Sequence, residues 1–215
     1  MPALRYARRL VQLVAGLVVM GVAVTVLKRS QLGLSPWDVF HDGIARHTGV
    51  DLGIVSIVTG IPLLILWWPL RQRPGVGTIL NVVLVGGVVH RLLPHLSPAH
   101  TVAAQVGMMA LGLALFALGQ GLYLSTDLGP GPRDGLMTGL NRQYGWSIRL
   151  ARTVVETVAL VLGIALGGSF GVGTVVFALA IGPMVQVALR LFGYGGGALD
   201  VVGREAAEAI GLSGE

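Results

Sequence analysis

The chain writes one motif twice. "LGLSPWDVFHDGI" occupies 32–44 and "LGPGPRDGLMTGL" occupies 128–140, and a shift of 96 residues superposes them without a gap. Leu32, Gly33, Pro36, Asp38 and Gly43 then meet Leu128, Gly129, Pro132, Asp134 and Gly139. The same shift carries Gly49 onto Gly145, "GVGT" at 75–78 onto "GVGT" at 171–174, Gly86 onto Gly182, and Gly16-Leu17 onto Gly112-Leu113. Chance supplies one such match, not a set in a single register. The chain therefore reads as two halves built to one plan.

Hydropathy says what each half is made of. The chain is 53% apolar and only 12% charged, with a mean hydropathy of +0.77, the balance of a polytopic membrane protein rather than a soluble domain. Six segments are long and apolar enough to predict crossings: about 9–28, 52–70, 76–93, 102–124, 149–167 and 172–192. The 36–48 and 132–144 stretches between them are too short and too polar to span, and read as short helices. The N-terminal apolar run follows basic residues, as in a signal peptide. It continues to Leu27 without an A-x-A cleavage site, so it is read as a retained first span. The expected domains are repeat 1 at 1–96, repeat 2 at 97–193 and a short cytoplasmic tail at 194–215.

Three crossings per half is an odd number, so the second half enters the membrane from the opposite side. The expected fold is all-α, with six transmembrane helices as two inverted three-helix repeats, each carrying a short re-entrant or interfacial helix. That plan recurs in secondary transporters, which hold substrate between the repeats near the midplane. With the N-terminus inside, eleven of the fifteen Lys and Arg fall on the inner side and four on the outer. This positive-inside bias predicts that both termini are cytoplasmic. The net charge of +5 follows span ends instead of forming one basic face, which argues against nucleic acid. Trp67, Trp68, Tyr123 and Trp146 lie near expected span ends, as interface anchors do.

The repeated motifs supply the candidate site. Ser35 suits an N-cap, Pro36 the first helical turn, and Asp38 the third position of a capping box; Gly131, Pro132 and Asp134 repeat the pattern without the serine. Asp38, His41, Asp42 and Arg46 form a polar stripe opposite Val39, Phe40, Gly43, Ile44 and His47. Such a helix either lies on the membrane surface with its polar stripe in water, or dips inward and presents its N-terminus to a cavity. "GVGT" similarly permits two readings. Gly75, Gly77 and Thr78, with Gly171, Gly173 and Thr174, either offer backbone N–H groups to an anion or merely turn the chain tightly between spans. Glu156 lies within the fifth span one turn after Arg152. It is a candidate coupling or recognition charge, or half of a structural ion pair.

The candidate substrate or coupling residues are thus Asp38, Asp134, Trp37, Arg133, His41, Arg152 and Glu156. Arg133 replaces Trp37 at the matching position, so the half-sites differ in charge, and an anionic or zwitterionic organic molecule would suit them. There is no cysteine, no histidine pair with ligand spacing on one helix, and no nucleophile–base–orienter set. No enzyme activity, metal or cofactor is expected. Small residues four apart at Ala159, Gly163 and Gly167, and at Ala178 and Gly182, suit close helix contacts within the chain or in a homo-oligomer.

Together "LGLSPWDVFHDGI", "LGPGPRDGLMTGL", "GVGT" and "GVGTVVFALAIGP" resemble the YczE-like bacterial integral membrane proteins, relatives of the broader YitT group, from about Tyr6 to Phe192. The resemblance implies an inner-membrane protein grouped with exporters of antibiotic-like compounds. It supplies no catalytic or binding residues to carry over. The leading expectation is a small secondary transporter whose partners are a small-molecule substrate and the lipid bilayer. The alternatives are a substrate-binding subunit of a larger transporter and a regulatory or structural membrane protein that does not transport.

Overall fold

The computed structural model describes residues 2–192, and those residues are helical throughout except for turns and links, with no strand among them. Four helices make the first half: α1 (Pro2–Ser30), α2 (Pro36–Thr48), α3 (Leu52–Leu66) and α4 (Val76–Leu92), the last running into a 3-10 turn at Leu93–His95. Four more follow: α5 (Val102–Leu124), α6 (Pro132–Tyr144), α7 (Ile148–Ala165) and α8 (Val172–Leu191). The expected tail at 194–215 lies outside the described residues.

Local backbone geometry recurs at the 96-residue shift. Gly33 and Gly129 adopt φ of 127° and 121°, and Gly49 and Gly145 adopt 73° and 69°. Residues without glycine's freedom follow suit: Gln31 and Asp127 sit at 60° and 53°. Gly33 and Gly129 are required twice over. Besides the positive φ, a Cβ on Gly33 would lie 2.5 Å from Thr174 Oγ1, and one on Gly129 would lie 2.9 Å from Gly75 Cα.

Those approaches stitch the halves together. The Gly77 N–H donates to the Leu128 carbonyl at 2.8 Å, and the Gly173 N–H donates to the Leu32 carbonyl at 2.7 Å. The Thr78 hydroxyl donates to the Pro130 carbonyl at 2.7 Å, while Thr174 Oγ1 accepts from the Leu34 N–H at 3.2 Å. Each half therefore anchors its last helix on the loop before the other half's short helix. At the centre α1 packs on α5, with Gly16 and Gly119 letting the two backbones touch and Leu13, Leu17, Leu27 and Phe116 filling the core.

The outer surface is apolar. On α3, Ile54, Val58, Ile61 and Ile65 form one exposed stripe, and α8 exposes Val172, Val175, Val176 and Leu179. In water such stripes would be a liability; against lipid they are the expected outer face. By length and composition four helices can cross a membrane: Leu4–Ser30, Val76–His95, Val102–Leu124 and Val172–Leu191. The α2–α3 pair, bent by 113°, qualifies jointly as a broken span and raises the number to five. The other two expected spans fall short individually. The α3 helix has 15 residues, and α7 carries Arg149, Arg152 and Glu156 among its 18.

Candidate functional site

The α2 helix begins as its sequence dictates. Ser35 Oγ accepts from the Asp38 N–H at 3.2 Å and donates its own proton to Asp38 Oδ2 at 2.5 Å. This reciprocal cap aims the helix start and fixes the carboxylate. One turn on, His41 Nδ1 is 3.7 Å from Asp38 Oδ1, too far for a hydrogen bond. Trp37 packs edge-on to Phe40, with ring centroids 6.1 Å apart, and tilts towards His41 at 6.2 Å. Pro36, Asp38, Val39, His41, Asp42 and Gly43 are all buried. Of the polar stripe that a surface-lying helix would turn to water, Asp38, His41 and Asp42 are instead inside the protein, and only Arg46 is exposed.

The α6 helix repeats this start with different chemistry. Gly131 gives no side-chain cap, and Asp134 Oδ2 lies 3.1 Å from where a Gly131 Cβ would stand. Arg133 Nε is 3.9 Å from Asp134 Oδ1, and the guanidinium lies over the Phe116 ring at 6.0 Å. Trp67, fully buried at the end of α3, donates its indole N–H to the Pro132 carbonyl at 2.8 Å and ties the α6 start to α3.

Between the two helix starts lies a cavity of about 100 Å³, open on one side. The α2 helix contributes Trp37, Asp38 and His41, and α6 contributes Pro132, Arg133 and Asp134. Ser56 and Gly60 of α3, Asn81 of α4, and Gln120 and Tyr123 of α5 complete its polar and narrow parts. Among the described residues, four side-chain polar atoms are buried with no hydrogen-bond partner, and three of them belong to this lining: Trp37 Nε1, His41 Nδ1 and Tyr123 Oη. Tyr123 Oη sits close to Gly131 without a hydrogen bond of acceptable geometry. Buried polar groups are ordinarily satisfied, so a cluster of unmet ones around a cavity marks a place for a polar guest.

Of the residues the sequence singled out, Trp37, Asp38, His41, Arg133 and Asp134 line this cavity, while Arg152 and Glu156 do not. Those two form a half-exposed pair at 3.2 Å on α7. Their register partners in the first half, Ser56 and Gly60, do line it. The glycine–threonine motifs have their N–H groups already engaged: Gly77 and Gly173 by the other half's carbonyls, Gly75 and Gly171 by Thr78 and Thr174 Oγ1 at 3.1 and 3.3 Å. An anion there would have to displace those partners.

Tyr123 is a functional candidate that the sequence reading set aside. It was expected at the membrane interface as an anchor, as was Trp67, yet both are only 1% exposed. Trp68, at 88% exposure, has the surface position expected of an anchor. Gln120 and Asn81 were visible only as isolated polar residues within apolar runs. A second cluster was missed altogether. Asp42 accepts from Lys28 Nζ at 2.5 Å, from Arg46 Nε at 3.0 Å and from the Ser169 N–H at 2.8 Å. It binds α1, α2 and the α7–α8 turn together.

The model of a family of unknown function, DUF6198, matches residues 7–190. An "Uncharacterized protein" of Haemophilus influenzae is 35% identical over 83% of this chain and 82% of its own. The "Uncharacterized membrane protein YczE" of Bacillus subtilis is 35% identical over 81% of this chain and 82% of its own. The "Uncharacterized protein YyaS" of the same bacterium is 24% identical over 82% and 90%. No solved structure matches.

Proposed function

This chain belongs to the DUF6198 family, and on that premise we propose that it is a small secondary transporter, a carrier rather than a catalyst. Its substrate is a small organic molecule, anionic or zwitterionic, taken up in the cavity between the starts of α2 and α6. The observation that carries this reading is the cavity itself. It brings together Asp38 with Asp134 and Trp37 with Arg133, equivalent positions of the two halves, beside the unpartnered His41 and Tyr123.

The architecture we propose is six crossings arranged as inverted repeats in the bacterial inner membrane, with both termini cytoplasmic. Contacts at the helix ends support it. At one end Lys28 and Arg46 meet Asp42 and Ser169, Arg29 donates to the Leu93 carbonyl, and His90 Nδ1 meets Asp51 at 2.9 Å. At the other, Gln12 donates to Ser125 Oγ at 2.7 Å and Trp67 to Pro132. Sorted this way, α1 and α3 each reach from one end to the other, and on the proposed architecture the excess of Lys and Arg would put the Gln12 end inside. Fixed, related half-sites on each side of a central cavity are what alternating access needs.

The test is flux. Protein in liposomes would be screened with compounds that raise its melting temperature, and the best stabiliser radiolabelled. Uptake or exchange of that compound should fall at least tenfold in Asp38→Asn, Arg133→Gln and Asp134→Asn and persist in Glu156→Gln. Flux unchanged in all three cavity variants removes this site from the proposal.

A further inference from the structure

The charges that face the cavity decide between the two substrate classes left open above. We propose that the ligand is a zwitterion bearing an ammonium and a carboxylate, its carboxylate held by Arg133, Trp37 and Tyr123 and its ammonium by Asp38 and Asp134. The inference rests on the transporter reading and sharpens it.

The lining holds two carboxylates, Asp38 and Asp134, and one guanidinium, Arg133. The formal charges of these three side chains sum to −1. The Arg152–Glu156 pair lies outside the lining and is neutral as a pair, although the Glu156 charge is felt by the Arg133 guanidinium. An anion alone would raise the formal charge of this part-buried site to −2, and like charges held close together repel. A cation alone would balance the charge but leave the donors idle. The Trp37 indole N–H can only donate, and it has no acceptor. Tyr123 Oη has no partner either. Arg133 makes no hydrogen bond among the described residues: its Nε stands 3.9 Å from Asp134, beyond hydrogen-bond reach, and its ring contact is with Phe116. A guanidinium offers a planar fork of donors that a carboxylate fills with two parallel bonds.

The acidic side is equally open. Asp38 uses Oδ2 for Ser35, while Oδ1 faces His41 at a non-bonding 3.7 Å. Asp134 has no serine cap, because Gly131 stands where Ser35 stands in the first half. Two carboxylates with spare acceptors suit an ammonium, which has three protons to give. Met20, Val82, Val85 and Phe116 supply apolar wall for the body of the molecule. Of the three charge classes, only the zwitterion satisfies the donors and the carboxylates together without adding net charge.

The experiment holds the carbon skeleton constant and varies the charge. The full chain in detergent or nanodiscs would be melted against the proteinogenic amino acids, the amines left by removing their α-carboxyl groups, and the acids left by removing their α-amino groups. The expected result is a rise of about 3 °C or more with one or more amino acids at saturating concentration and none with the matched amine or acid. The response should vanish in Arg133→Gln and in Asp38→Asn, both checked as folded by their own melting curves, and survive in Glu156→Gln. Stabilisation by the acids alone or the amines alone overturns the zwitterion while leaving a ligand-binding cavity. A flat response across all three sets, with the protein melting cooperatively, overturns this inference, while the transporter reading beneath it stands or falls on the flux measurement.

Discussion

Asp42 is the most heavily bonded carboxylate described, and its consequences are those of a charge held inside. Its side chain is 4% exposed and that of Lys28 18%, whereas Arg46 is 56% exposed. Removing the carboxylate charge leaves the Lys28 ammonium without its counter-charge, which costs about 3 kcal/mol when such a pair is buried. Arg46, reaching in from solvent, is worth below about 1 kcal/mol. Thermal melts should therefore rank Asp42→Asn well below Arg46→Ala, and Glu156→Gln near the parent. Equal melting temperatures for Asp42→Asn and Arg46→Ala would show that the cluster is not a buried tie. Gly135 allows a second residue-level prediction. A Cβ there would lie 1.9 Å from Trp67 Cζ2, and the indole is pinned by its bond to Pro132. Gly135→Ala should cost about 1–3 kcal/mol through overpacking. Adding Trp67→Phe should recover part of it in a double-mutant cycle, because the two residues share one space. Strict additivity would mean that the ring does not bar the methyl.

At the scale of elements, the informative ones are the two short helices and the helix starts that hold them. Thr78 and Thr174 are fully buried, and each hydroxyl joins its own helix start to the other half's loop. Replacing either with valine keeps shape but strands buried backbone groups, at about 1–3 kcal/mol each. Thr→Ser should stay near the parent. A chemical-melt midpoint that falls alike for Thr78→Val and Thr174→Val, and not for the serines, would establish that both joints bear the same role. A fall in only one would end the equivalence. The sequence located these elements well because their signals are local. Ser35, Pro36 and Gly49 bound α2 at 36–48, and Gly131, Pro132 and Gly145 bound α6 at 132–144. What these helices face was not local and so not legible. A polar stripe has the same spacing whether it meets water or buried partners, and two of the three partners of Asp42 lie 14 and 127 positions away. "GVGT" was ambiguous for the same reason: its glycines permit close approach, but only the fold shows that the other half's carbonyls make it. Five of the six cavity residues from α2 and α6 were singled out because the repeat pointed at helix starts. Tyr123 and Gln120 carried no such mark.

For the whole molecule, the two halves share a plan but not a state. In one, α2 lies directly on α7: a Cβ on Gly163 would be 2.6 Å from the Phe40 backbone, and one on Gly43 2.8 Å from the Gly163 carbonyl. In the other, the bulk is exchanged. Trp67 stands at the position matching Gly163, and Gly135 at the position matching Val39. The indole holds α6 off α3, and the cavity opens on that side, lined by Ser56, Gly60 and Leu63 of α3. A carrier that is closed at one end and open at the other would have this form, provided α3 and α7 cross the membrane in opposite senses. Their lengths, 15 and 18 residues, give roughly 22 and 27 Å, somewhat below the roughly 30 Å of a hydrocarbon core. The short helices before them would have to make up the difference. The cysteine-free chain allows this to be tested cleanly with single introduced cysteines. Thr48 and Tyr144 precede α3 and α7, Pro74 and Phe170 follow them, and all four are exposed. Six crossings with inverted halves predict that a membrane-impermeant maleimide labels Thr48→Cys and Phe170→Cys in intact cells, and Tyr144→Cys and Pro74→Cys only after permeabilisation. Within each pair 96 residues apart, the two members should label from opposite sides. Tyr144→Cys and Phe170→Cys labelling from the same side would mean that α7 does not cross, and the inverted-repeat architecture, with alternating access built on it, would fall.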